Sequence, residues 1–263
     1  MGDLGAVIAS FAMPLLDLSP FQFAFAFFAL FLGGMVKGTV GMGMKIVVLG
    51  LLATIIELPV AIAIIILPAV TTNIWQVFGG PPLRETLRRT WSLFVMVCVG
   101  VWFGTEILAA SNPAHLAAAL GVLLVVYATY ALIAPRMPSP GRHETWMSPV
   151  IGGLTGIFGG MTGSDVIPGV PYLQALGLSR DMLIQAMGIL FLLGSSMVAV
   201  AFAYQGLLTK EIGVASALGS LPTLGGYYLG AKIRQRIPEA LFRKILLSAL
   251  FVLGLYIVIT NLT

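Results

Sequence analysis

Apolar runs of membrane-spanning length constrain this chain more than any other feature. Val60 to Phe78, Ala114 to Ala134, Met182 to Leu208 and Ile212 to Ala231 are four such runs. Each is long enough for a helix to cross a hydrocarbon layer of roughly 30 Å at about 1.5 Å per residue. Ile245 to Thr263 is a fifth, and Trp91 to Ala110 a sixth if Glu106 sits at its far end. Only 9% of the 263 residues are charged, against about 25% in a soluble domain, so a water-facing surface could not be solvated. The solvent is therefore lipid. A nucleic-acid binder is excluded, because the net charge of +4 forms no contiguous basic face. A single cysteine, Cys98, rules out an internal disulfide, and two histidines, His115 and His143, rule out a His-rich metal centre. No cofactor and no metal are expected.

Two apolar regions, Phe21 to Ile56 and Pro149 to Leu178, are too long for one helix and are interrupted by glycine. The first carries Gly33, Gly34, Gly38, Gly41 and Gly43; the second runs from Gly152 and Gly153 to Gly163-Ser164-Asp165-Val-Ile-Pro168. Pieces of this length predict half-helices that enter the membrane and turn back. Residues 1–20 carry Asp3 and Asp17 but no basic residue, which excludes a secretory signal and predicts a short interfacial helix.

Lys and Arg concentrate in cytoplasmic loops. Loops 79–90, 135–147, 179–181 and 232–244 hold eleven of them: Arg84, Arg88, Arg89, Arg136, Arg142, Arg180, Lys232, Arg234, Arg236, Arg243 and Lys244. The alternate loops hold only Lys210. Both termini are thus expected on the non-cytoplasmic side, with hairpin 21–56 opening outward and hairpin 149–178 opening toward the cytoplasm.

The chain also repeats itself. Gly34-x3-Gly38-x2-Gly41 recurs as Gly152-x3-Gly156-x2-Gly159, an offset of 118 that sets Gly163 opposite Lys45. Gly100-x3-Gly104 recurs as Gly226-x3-Gly230, an offset of 126, and Pro113 is echoed by Pro238. The order in each half is a glycine hairpin, a span, a span with Gly-x3-Gly, and a last span. Three full crossings per half invert the second half relative to the first. The expected fold is an all-α polytopic membrane protein of two inverted-topology repeats, each a glycine-broken re-entrant hairpin plus three transmembrane helices. The N-terminal repeat covers 1–134, a cytoplasmic linker 135–147, and the inverted C-terminal repeat 148–263. Secondary transporters use this architecture, with the site at the repeat interface near the midplane. The Gly100/Gly104 and Gly226/Gly230 pairs read as helix packing.

The doubled glycine motif, with Gly226-x3-Gly230-Ala-Lys-Ile-Arg followed by Pro238 and Arg243, resembles the TauE/SafE family of sulfite and sulfonate permeases from about Phe23 to Ile259. The resemblance implies a prokaryotic inner-membrane carrier of small anions such as sulfite, organosulfonates or short carboxylates. Where that family favours consecutive glycines after the first motif, this chain has Met42, Met44 and Lys45.

A small anion at membrane depth needs positive potential and hydrogen-bond donors in place of water. Half-helix N-termini offer both, and glycine lets the backbone approach closely. An ionisable side chain at this depth marks a functional site by default. The candidate substrate shell is Lys45, Gly41, Gly43, Thr72, Asn73, Gly160, Thr162, Ser164, Ser195 and Ser196. Asp165 and Lys37 are candidates for coupling or an ion pair, Asp165 with Lys45 as one possible pairing and Lys37 with interfacial snorkelling as the alternative. Outward movement of an anion is driven by an inside-negative potential at about 2.3 kcal/mol per 100 mV, so an exporter needs no coupling ion, whereas an importer needs H+ or Na+. The expected function is a secondary transporter of a small anion, with an anion channel and, more remotely, an intramembrane enzyme as alternatives. An enzyme would need a second catalytic Asp or a mid-span histidine, and the sequence offers neither.

Overall fold

The structure is a computed structural model, and it describes residues 18–78, 83–133, 138–233 and 239–262. The interfacial helix expected within 1–20 and the side chains of Arg136, Arg234, Arg236 and Arg243 lie outside the described residues. Every regular element described is helical: α1 (Pro20–Val40), α2 (Met44–Leu52), α3 (Leu58–Phe78), α4 (Leu83–Ala110), α5 (Pro113–Ile133), a 3-10 turn (Gly141–His143), α6 (Glu144–Thr162), α7 (Gly169–Ala175), α8 (Arg180–Tyr204), α9 (Lys210–Ile233) and α10 (Glu239–Leu262). Six are long and apolar enough to cross a membrane: α1, α3, α4, α5, α8 and α10. Helix α9 is long enough but falls below that apolarity, because Gly219, Ser220, Gly225, Gly226 and Gly230 take the place of large side chains.

The glycine regions are less broken than their composition predicts. Helix α1 starts on a capping box, in which Ser19 Oγ accepts from Gln22 N and Gln22 Oε1 accepts from Ser19 N, with Pro20 in the first turn. It then continues through Gly33, Gly34 and Gly38 and stops only at Gly41. Helix α6 likewise runs through Gly152, Gly153, Gly156, Gly159 and Gly160 and stops at Gly163. Each glycine region therefore holds one long helix followed by a short helix of nine (α2) or seven (α7) residues. Gly41 (φ 86°) and Gly163 (φ 74°) hold the left-handed conformation that ends the long helices, and both donate their N–H to a carbonyl four residues back.

The helical glycines serve close packing, which is how helices associate where water supplies no hydrophobic drive. A Cβ on Gly34 would land on the Thr223 carbonyl of α9, and one on Gly38 on the Tyr227 carbonyl. A Cβ on Gly226 would strike the Phe31 carbonyl. Helices α6 and α4 repeat the arrangement: Gly156 faces Val97, Gly160 faces Val101, and Gly100 faces the Gly153 carbonyl. These matched contacts set Gly34 with Gly156 and Gly38 with Gly160, 122 residues apart. The 118-residue motif offset is thus one helical turn out of step with the packing, and Gly163 matches Gly41, not Lys45. At the far side of the bundle, Gly121 of α5 and Gly254 of α10 each face the other's carbonyl.

The ends of both hairpins are tied. Gln22 Nε2 donates to Ile55 O at 2.9 Å, joining the start of α1 to the chain after α2. Around α6 and α7, Ser148 Oγ lies 2.7 Å from Tyr172 Oη, and Arg89 of α4 holds Glu144 (3.0 and 3.1 Å) and donates to Leu176 O (2.7 Å). At that same end α3 and α8 exchange amides: Gln76 Nε2 donates to Ile184 O and Gln185 Nε2 to Val77 O, both at 2.9 Å.

Candidate functional site

Because α1 and α6 stop at Gly41 and Gly163, the residues just beyond each stop are free to face one another between α3 and α8. Lys45, in the first turn of α2, extends its ammonium to Asp165 Oδ2 at 2.8 Å. The carboxylate is 1% exposed, and its other oxygen, Oδ1, has no hydrogen-bond partner among the described residues. Room for this carboxylate comes from two glycines. A Cβ on Gly194 of α8 would strike Asp165 Oδ2, and one on Gly159 would stand 3.2 Å from Asp165 Cβ.

Lys37 does not snorkel. It is 3% exposed, and its ammonium donates to Thr72 Oγ1 at 3.0 Å and to Asn73 Oδ1, both on α3. The Thr72 hydroxyl can accept because it spends its own proton on the Pro68 and Ala69 carbonyls. Lys37 forms no ion pair with a carboxylate among the described residues; the ion pair belongs to Lys45. Lys37, Lys45, Asn73 and Asp165 together line a small cavity of about 20 Å³, with Met42, Met44, Val166 and Phe191 completing its walls. Its walls therefore carry two cations, one anion, an amide and the N-terminal turn of α2 at Gly43 and Met44.

Other residues singled out in the sequence fall elsewhere. Gly43 lines the cavity, whereas Gly41 spends its N–H on Lys37 O as the cap of α1. Gly160 is packed against Val101 and Thr105 of α4. Thr162 Oγ1 donates to Phe158 O and accepts from Ser164 N, so it shapes the second break without lining the cavity. Ser164 faces a separate crevice with Ile46, Tyr127 and Ile167. The Ser195 hydroxyl bonds back to Phe191 O within α8, and Ser196 is outside the cavity lining. Sequence reasoning named Gly159 only as a motif glycine and passed over Gly194; the absent side chains of both accommodate Asp165. The signal available was a glycine at mid-span in Leu193-Gly194-Ser195, indistinguishable there from a packing glycine.

The sulfite exporter TauE/SafE family profile matches residues 4–257, nearly the whole chain. The chain belongs to the TauE/SafE family. No curated protein and no solved structure matches it. TauE/SafE proteins are membrane transporters, and this assignment agrees with the six membrane-length apolar helices. Among the described residues no group of three His, Cys, Asp or Glu side chains could hold a metal ion. Among the described residues, the buried charged side chains are Lys37, Lys45 and Asp165.

Proposed function

We propose that this protein is a secondary transporter that moves a small anion (sulfite, an organosulfonate or a short carboxylate) across the cytoplasmic membrane, with its site between the two glycine breaks. The observation that carries this reading is the pairing of two buried ammonium groups with a single carboxylate around one cavity. Charges at membrane depth are costly and persist where they serve a pathway. The α2 N-terminus adds its dipole at the same wall, which favours a negative ligand.

The architecture we infer is a pair of inverted repeats with re-entrant hairpins. Three features support it: the joined ends of each hairpin, the matched contacts of α1 with α9 and α6 with α4, and the reciprocal approach of Gly121 and Gly254. Arg84, Arg88, Arg89, Arg142 and Arg180 belong to the end where α4, α6 and α8 begin. By the positive-inside bias that end is cytoplasmic, and both termini are outside. Export along the membrane potential requires no coupling ion, and the sulfite exporter family points the same way. A carrier is favoured over a channel because Lys37, Lys45 and Asp165 are all buried, as an occluded state requires, whereas a channel needs an open path.

Counterflow in proteoliposomes loaded with sulfite, sulfonates or short carboxylates tests the reading. We expect saturable, temperature-steep exchange of at least one of these anions. Exchange of none of them, or flux that never saturates, would overturn it.

A further inference from the structure

The charges around the cavity do not cancel. Lys45 is matched by Asp165, while among the described residues Lys37 is held by the neutral oxygens of Thr72 and Asn73 alone. An ammonium has three donors, and those two oxygens take two of them. Buried charge is tolerated when it is compensated within the same site. We propose that Lys37, rather than Lys45, is the cation that receives the substrate, and that Asp165 sets the substrate's charge at minus one. Lys45 is occupied by Asp165, so one negative charge on Lys37 brings the loaded site to zero. The result is the same whether the Lys37 proton is in place beforehand or arrives with the anion. A dianion would leave the loaded site negative, and a neutral solute would leave Lys37 uncompensated. This rests on the transporter reading above and goes beyond it by naming the valence of the cargo and the residue that selects it.

Two probes separate valence from shape: methanesulfonate carries one charge and sulfate two across the usable pH range, and both present a tetrahedral sulfur. Binding is measured calorimetrically on the full-length protein in nanodiscs, with thermal unfolding as a control. Wild type is expected to prefer methanesulfonate by on the order of tenfold, the scale of one charge-assisted hydrogen bond. Asn73→Asp places a resident carboxylate beside Lys37 and should weaken methanesulfonate binding by about the same factor or more, with no loss of thermal stability. Asp165→Asn should shift preference toward sulfate. Lys37→Met orphans no opposite charge, so it should fold and lose methanesulfonate binding.

Valence-blind binding by wild type or an Asn73→Asp variant that binds like wild type would each overturn the proposal. So would methanesulfonate binding retained in a folded Lys37→Met variant. Anions exchanging in the counterflow assay while these rankings fail would sink the valence rule alone. No exchange of any anion would sink the transporter reading and this inference with it.

Discussion

The two glycine hairpins use the same backbone device to opposite electrostatic ends. Each has a long helix that stops on a left-handed glycine, a short break, and a short helix whose far end is bonded to the start of the long one. In the first hairpin the break is Gly41-Met42-Gly43, and the charges beside it are Lys37 and Lys45; in the second the break spans 163–168 and carries Asp165. With the 122-residue correspondence, Asp165 stands where the first hairpin has Gly43, and Lys37 where the second has Gly159. A symmetric backbone thus carries an asymmetric charge set. Two equal breaks facing each other would give equal charges in close apposition; here the carboxylate of one neutralises one lysine of the other and leaves a single cation over.

The largest effect expected from breaking this comparison comes at the ion pair that joins the hairpins. Asp165→Ala leaves Lys45 buried without its partner, and Lys45→Met does the same to Asp165; either should destabilise by about 3–5 kcal/mol. Replacing both, Lys45→Met with Asp165→Leu, should recover much of that loss. Thermal unfolding in detergent checks this, and additive losses in the double variant would mean that the pair does not act as a unit.

Next come the packing glycines. Gly34→Ala and its counterpart Gly156→Ala both drive a methyl into a facing carbonyl, so each should cost about 1–3 kcal/mol, the range for overpacking. Similar losses would sharpen the correspondence between α1–α9 and α6–α4. A loss confined to one of them would break it.

The helix-ending glycines should then differ. A Cβ on Gly41 meets nothing within 4 Å, whereas one on Gly163 meets Ile62 Cγ1 at 2.8 Å and Leu49 Cδ1 at 2.9 Å. Both alanine variants carry the left-handed strain of roughly 1–2 kcal/mol. Gly163→Ala adds the steric clash, so its melting temperature should fall further than that of Gly41→Ala.

The smallest effect should be at the hairpin ends. Arg89→Ala removes a partly exposed ion pair to Glu144 and a bond to Leu176 O. About 1 kcal/mol or less is expected, because solvent screens such pairs. Hydrogen exchange across 169–176 should increase in this variant and stay unchanged across 44–52.

Much of the fold was legible before any coordinate. Lipid-facing spans follow from runs such as Ala114 to Ala134, and TauE/SafE membership follows from the doubled glycine motif together with its order. The site was legible in its residue types: Lys45 and Asp165 were visible as charges with no reason to lie in lipid, and Thr72 and Asn73 as mid-span donors. Their partnership stood only as one pairing among several. Lys45 and Lys37 stand eight residues apart beside the same break, and nothing local tells which one meets a carboxylate 120 positions away. Ser195 and Thr162 looked like ligands for the same reason; only the structure reveals that their hydroxyls turn back to Phe191 and Phe158 of their own helices.

The sequence by itself determined the solvent, the number of apolar helices within narrow limits, and the kinds of charge available inside. These depend on composition and run length, which need no partner to be read. Only the tertiary structure decided which glycines end a helix and which pack one, the 122-residue match between the α1–α9 and α6–α4 contacts, and the choice of Lys45 as the partner of Asp165. The physical reason is that a missing Cβ permits both a positive φ and a close helix crossing. Gly38 and Gly41 therefore read alike along the chain, and only the presence of Tyr227 against one and open space beside the other separates them.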